Sequence, residues 1–242
     1  MAARKPPEAW FWSHDIRADQ IKYVVTPGML VMRLSSYGSG DARRFAALMY
    51  KDAGPERGYA IDLDAAALAA RLQDSGARPV AITVTDGEPR RFHVVLQQGP
   101  GPLCGAHIDL DEDGVRALVD DGHGIADFAT YLVDGARRYA VIVEERPGPS
   151  WFLTGLSPHQ LDAKLLELDA ALVRLRAYID DGRPQLAAVA ERSRGGGWAW
   201  YSELDADAVA RNLENNRAYP IDLDATRDLR GPRFTVVMVR NR

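Results

Sequence analysis

The feature that most limits what this chain can fold into is a period of about 47 residues. An arginine and an aromatic residue open an apolar run at Arg44-Phe45, Arg91-Phe92, Arg138-Tyr139 and Arg233-Phe234. A degenerate copy, Gln185-Leu186, fills the gap. The second residue of each pair stands at 45, 92, 139, 186 and 234, in steps of 47, 47, 47 and 48. A Leu or Ile ahead of each helical pattern recurs in the same way, at Ile16, Leu63, Leu110, Leu156 and Leu204. Units of this length bury their apolar faces by stacking on one another. The chain therefore divides into five, 10–55, 56–102, 103–148, 149–195 and 196–242, in a single repeat domain 10–242 behind a tail of residues 1–9.

Within a unit the pattern predicts strand, helix, strand, strand: an α/β class built from βαββ repeats. Strand one alternates, placing Trp10, Trp12, His14 and Ile16 on one face, as it does Trp198, Trp200, Ser202 and Leu204. On that alternation Trp10, Trp12, Tyr59, Phe152, Trp198 and Trp200 are expected to pack with the strand-one Leu or Ile against the helix. Trp151 and Tyr201 fall on the opposite face and are the expected ligand contacts, with His107 beside them. Asp64, Asp111, Ser157 and Asp205 are expected to cap the helices, and Ser157-Pro158-His159-Gln160 has capping-box spacing. Tyr37, Tyr131 and Tyr178 share one register on strand two. Asp86-Gly87, Asp134-Gly135 and Asp181-Gly182 are expected to turn strand two into strand three. By composition residues 161–179 could form one long helix, but the repeat register divides them into helix and strand.

Open repeat stacks need polar ends. Here the first unit carries Trp10, Trp12 and Phe45, and the last carries Trp198, Trp200 and Val236-Val237-Met238-Val239. Packing the fifth unit on the first would cover both, giving a closed pseudo-fivefold ring like an α/β-propeller. An open array is the alternative.

The run Trp198-Ala-Trp200-Tyr-Ser-Glu-Leu-Asp-Ala-Asp-Ala-Val-Ala, with Arg233-Phe234-Thr-Val-Val-Met-Val-Arg-Asn, resembles the bacterial tandem-repeat domain found beside the serine hydrolase domain of polyglycine hydrolases. The resemblance covers essentially the whole chain and is clearest in the fifth unit. It implies a non-catalytic repeat fold that helps engage a protein substrate. The Ser-x-x-Lys motif of the family's hydrolase domain is missing here, so the resemblance implies binding and not hydrolysis.

Two constellations carry possible chemistry. The residue before the strand-one Leu or Ile is Asp15, Asp62, Asp109, Gly155 and Glu203 in turn; the residue before the strand-three anchor is Arg44, Arg91, Arg138, Gln185 and Arg233. The fourth unit has lost both, as an acid–arginine pair inside each unit would require, because removing one partner strands the other. The expected pairs are Asp15–Arg44, Asp62–Arg91, Asp109–Arg138 and Glu203–Arg233. A ring of anion-binding arginines is the other reading. The second constellation is Cys104 with His107 and Asp109, and His93 in the preceding unit, as the centre of a small cysteine enzyme. Alternation places Cys104 and His107 on opposite faces of one strand, which counts against it.

The five histidines lack ligand spacing, and Gly195-Gly196-Gly197 precedes a strand rather than opening a helix, so neither a metal nor a phosphate-bearing cofactor is expected. The net charge is −4, with no block of Lys or Arg, which gives no footprint for nucleic acid or an anionic membrane. No stretch approaches the roughly 18 apolar residues of a membrane span. One cysteine and no leader-like N-terminus point to the cytoplasm, or to a secreted domain that has lost its leader. The expected function is a repeat module, monomeric or a small homo-oligomer, that binds a protein, peptide or glycan. A subunit whose repeats serve only to oligomerise is a further alternative. Units three and four, where the symmetry is most broken, are the first place to look for a site.

Overall fold

The computed structural model describes residues 6–25, 28–51, 54–74, 76–85, 88–102, 104–145, 148–193 and 195–240. Most of the Met1–Ala9 tail and the Asp86-Gly87 turn lie outside the described residues.

The order strand, helix, strand, strand recurs five times. Unit one has β1 (Ala9–Ile16), α1 (Ile21–Val24), β2 (Met29–Tyr37) and β3 (Arg44–Lys51); unit two has β4 (Arg57–Leu63), α2 (Ala65–Asp74), β5 (Arg78–Val84) and β6 (Phe92–Gln97). Unit three has β7 (Cys104–Leu110), α3 (Glu112–Asp120), β8 (His123–Val133) and β9 (Ala136–Glu145). Unit four has β10 (Ser150–Leu156), α4 (Pro158–Glu167), β11 (Ala170–Asp180) and β12 (Arg183–Arg192). Unit five has β13 (Trp198–Leu204), α5 (Ala206–Asn215), β14 (Ala218–Asp228) and β15 (Gly231–Arg240). Residues 161–179 are split between α4 and β11, as the repeat register requires.

Each unit folds into one three-stranded antiparallel sheet whose third strand lies in the middle. Strands one and two are therefore parallel to each other, and the helix carries the chain across between them. The central position explains the repeated motif. A strand paired on both edges and covered on both faces needs a continuous apolar run, and β6 (Phe92-His-Val-Val-Leu-Gln) is buried from end to end. The two sequence anchors meet there: Ile16 pairs with Phe45, Leu63 with Phe92, Leu110 with Tyr139, Leu156 with Leu186 and Leu204 with Phe234.

The helices start where the sequence predicts. The Asp64 carboxylate accepts the Ala67 amide at 2.8 Å, Asp111 accepts Gly114 at 2.8 Å and Asp205 accepts Ala208 at 2.7 Å. Ser157 and Gln160 form the reciprocal capping box ahead of Pro158. Asp134-Gly135 and Asp181-Gly182 both have positive φ, the geometry of a tight hairpin turn.

The expected faces of strand one are reversed. Two residues oppose one just before each anchor, as in Ser13–Ile16 opposite Ala47–Phe45, and the same shift occurs in all five units. This bulge changes the phase of the alternation. Trp151 and Tyr201, expected as ligand contacts, therefore point with Leu156 and Leu204 into their own units' cores. The Tyr201 hydroxyl accepts a hydrogen bond from Asn216 Nδ2 at 3.2 Å. Trp10, Trp12, Tyr59, Phe152, Trp198 and Trp200 take the other face and pack against the preceding unit: Phe152 lies edge-on to Phe128 and Tyr139, and Trp12 edge-on to Phe234.

Five apolar cores result, one at each seam. Four join consecutive units. The fifth joins the last unit to the first, where Tyr37, Leu48 and Tyr50 pack with Val209, Leu213, Phe234 and Met238. Burying side chains of this size stabilises by about 1.5–3 kcal/mol each. The second strands β2, β5, β8, β11 and β14 pack against one another in sequence, and β14 packs back on β2. No helix among the described residues is long and apolar enough to cross a membrane.

Candidate functional site

The bulge residue of strand one is left-handed in every unit, at Asp15, Asp62, Asp109, Gly155 and Glu203 with φ of 57°, 62°, 58°, 65° and 58°. Asp and Gly are the side chains that take this conformation most readily, so Gly155 answers a backbone need independent of any ion pair. The turned-out amide needs an acceptor. The Tyr37 hydroxyl accepts Asp15 N at 2.9 Å, Tyr131 accepts Asp109 N at 2.8 Å and Tyr178 accepts Gly155 N at 3.1 Å. In unit two Thr85 takes the tyrosine position, and His93 Nδ1 accepts Asp62 N at 3.1 Å instead. Burial holds the His93 imidazole down to about 4, and the neighbouring Arg43 adds to the effect against Asp62. His93, a candidate base in the sequence, is thus a neutral backbone acceptor.

The acid–arginine pairs are also rearranged. Asp15–Arg44 forms within its unit at 3.3 Å. Asp62 is instead held by both terminal nitrogens of Arg43 in the preceding unit, and Asp109 by Arg90 of the preceding unit at 3.3 Å. Arg91 pairs with Asp64 at 3.8 Å, Arg138 with Asp111 at 3.6 Å and Arg233 with Asp228 at 3.1 Å, while Glu203 meets Arg230 at 3.9 Å. At Asp62 and Asp109 the acid is thus reached across the seam by an arginine of the preceding unit, while Asp15 and Glu203 keep partners of their own units.

The largest polar assembly lies where the second strands converge. A bulge in each second strand precedes the equivalent positions Arg33, Ala81, Asp127, Arg174 and Asp222, and two residues further on stand Ser35, Thr83, Ala129, Arg176 and Asp224. Arg33 Nη1 donates to Asp127 Oδ2 at 2.6 Å, joining units one and three, which are not neighbours in sequence. Arg176 donates to Asp127 and to Asp222, both at 2.6 Å. Asp127 also accepts the Ile82 amide and Asp222 the Leu175 amide, at 2.7 and 2.9 Å. Ser35 Oγ donates to Asp224 Oδ1 at 2.7 Å. Burial alone would raise Asp222, but Arg176, Arg33 and Arg174 together hold it down to about 2. Asp224 is raised by burial, against Arg176 and Arg33. Three arginines and three aspartates thus tie four units together. Charges embedded in apolar strands, as in Val173-Arg174-Leu175-Arg176 and Ile221-Asp222-Leu223-Asp224, are the sequence signal of this assembly.

At the end where the second strands begin, the compensation is incomplete. Arg57 and Arg78 lie opposite Gln97 from either side of the sheet of unit two. Arg57 donates to Gln97 Oε1 at 3.0 Å and to Met32 Sδ at 3.2 Å. Among the described residues no carboxylate forms an ion pair with it. Burial, and then the charges of Arg174 and Arg78, pull the guanidinium down to about 10. Arg78 reaches Glu144 only at 3.9 Å. The Nε atoms of Arg57 and Arg78 are both buried without a hydrogen-bond partner. Arg174 shares Asp127, at 3.2 Å, with Arg33 and Arg176. At the seam of units four and five a pocket of about 110 Å³ is lined by Gly195–Gly197, Trp198, Glu191 and Ile221.

The cysteine constellation does not assemble. Cys104 Sγ donates to Pro102 O at 3.3 Å and accepts from Arg78 at 3.8 Å. His107 is exposed on the opposite face of β7, and Asp109 belongs to Tyr131 and Arg90. Among the described residues no three His, Cys, Asp or Glu side chains gather to hold a metal ion. The chain matches no family model, and no curated protein aligns with it significantly.

Proposed function

We propose that the chain is a non-catalytic, closed pseudo-fivefold ring of βαββ units, propeller-like, that binds a protein, peptide or glycan partner at the end where Arg57, Arg78 and Arg174 gather. The observation that carries this reading is the under-compensated arginine cluster, set on a framework whose central charges are paired. Leaving guanidinium nitrogens without partners is unfavourable unless something else supplies them. The resemblance of the fifth unit to the repeats of polyglycine hydrolases supports a binding role, and the engagement of His93 Nδ1 by the Asp62 amide and of Asp109 by Tyr131 and Arg90 argues against chemistry at Cys104.

The test compares capture of partners from cell lysate by three immobilised forms: the wild type, the pair Arg57→Gln/Arg78→Gln, and Leu132→Asp near the hairpin at the other end of the second strands. A partner held by the wild type and by Leu132→Asp but lost by the arginine pair supports the assignment. Identical capture by all three, or nothing above bare resin, overturns it.

A further inference from the structure

We propose that Arg57, Arg78 and Arg174 form a receptor for an oxyanion, a carboxylate or phosphate group presented by the partner. The proposal rests on the binding reading above and names the chemistry recognised there.

Three guanidinium groups from units two and four gather where five strands begin. A guanidinium is a planar fork that matches the paired oxygens of carboxylate and phosphate. At the centre Arg33 and Arg176 each meet two aspartates at 2.6–3.2 Å, whereas Arg174 has only a share of Asp127. Arg57 instead spends its donors on an amide oxygen and a thioether sulfur, weak substitutes for an anion. The charges of Arg174 and Arg78 repel it, outweighing the opposite effect of Tyr50. Gly101 packs so closely on the Arg78 guanidinium that an added Cβ would stand 2.4 Å from its central carbon. That contact holds Arg78 in place, with Nη1 toward Cys104 and Glu144. An oxyanion bridging the Arg57 and Arg78 guanidinium groups would supply the negative charge that Arg57 lacks, replace its weak acceptors and relieve the repulsion in one step.

The full chain is melted in millimolar sodium phosphate, in sodium citrate, and in sodium chloride of equal ionic strength. An anion present at about ten times its Kd should raise the wild-type Tm by about 4 °C over chloride. Arg57→Gln, and separately Arg78→Gln, should lose most of that rise. Without the anion Arg57→Gln should melt no lower than the wild type, because it removes a repelled charge. A response to phosphate alone assigns a phosphate group, to citrate alone a carboxylate, and to both an oxyanion of either kind; each supports the site. No rise over chloride, or an equal rise in the variants that fold, overturns it. If partner capture still depends on Arg57 while both anions are inert, the binding reading stands and the oxyanion receptor falls.

Discussion

Units two and four share one template and carry opposite chemistry. Unit four sends Arg174 and Arg176 into the centre, where Arg176 meets two aspartates at 2.6 Å. Unit two presents Ala81 and Thr83 at the equivalent positions and keeps its arginines, Arg57 and Arg78, at the end of the sheet. Unit four satisfies its bulge amide with a tyrosine hydroxyl; unit two uses a buried histidine. The repeated backbone therefore fixes where side chains go, while charge compensation decides which of them tie the units together and which are left under-compensated.

The comparison can be broken at the centre first. Arg176→Ala leaves Asp127 and Asp222 short of a partner, and should cost about 3–5 kcal/mol in chemical denaturation. Thr83→Val, whose hydroxyl is buried without a partner, should change stability by no more than about 1 kcal/mol. Equal costs would mean that the central charges do not hold the ring.

The two bulge acceptors separate next. The folded-state value of His93, about 4, lies below the ordinary 6.5, so the unfolded chain takes up the proton first. The neutral imidazole contributes stability that is complete above pH 6.5 and lost as the pH falls toward 4, about 3 kcal/mol over that window. Denaturation at pH 7.5 and pH 4.5 should show this loss in the wild type and a smaller one in His93→Gln. A parallel pH dependence in both proteins removes His93 as the cause.

Tyr178→Phe should cost less than Arg176→Ala, about 1–3 kcal/mol, from stranding the Gly155 amide. Because no titration is involved, its cost should be the same at pH 5 and pH 7.5. A pH-dependent cost would show that the tyrosine does more than accept that amide.

The period of about 47 residues, the element order, four helix caps and two hairpin turns were all legible because each is a local property of a short segment. The faces of strand one were not. A single extra residue before Ile16, Leu63, Leu110, Leu156 and Leu204 reverses the alternation, exchanging the places of Trp200 and Tyr201. The acid positions were visible in sequence, and Asp15 takes the expected Arg44, but Asp62 and Asp109 take Arg43 and Arg90 of the preceding unit, which reach them only across a seam.

The sequence by itself determined the order of elements within a unit, because hydrophobic periodicity, capping residues and Asp-Gly turns act over a few residues. Only the tertiary structure decided which charges are shared. Arg33 and Asp127 are 94 residues apart and 2.6 Å distant, and their pairing exists only because five second strands converge. The same convergence sets Arg174 beside Arg57 and Arg78. Compensation of a buried charge is a property of everything around it, and no segment of chain carries that information alone.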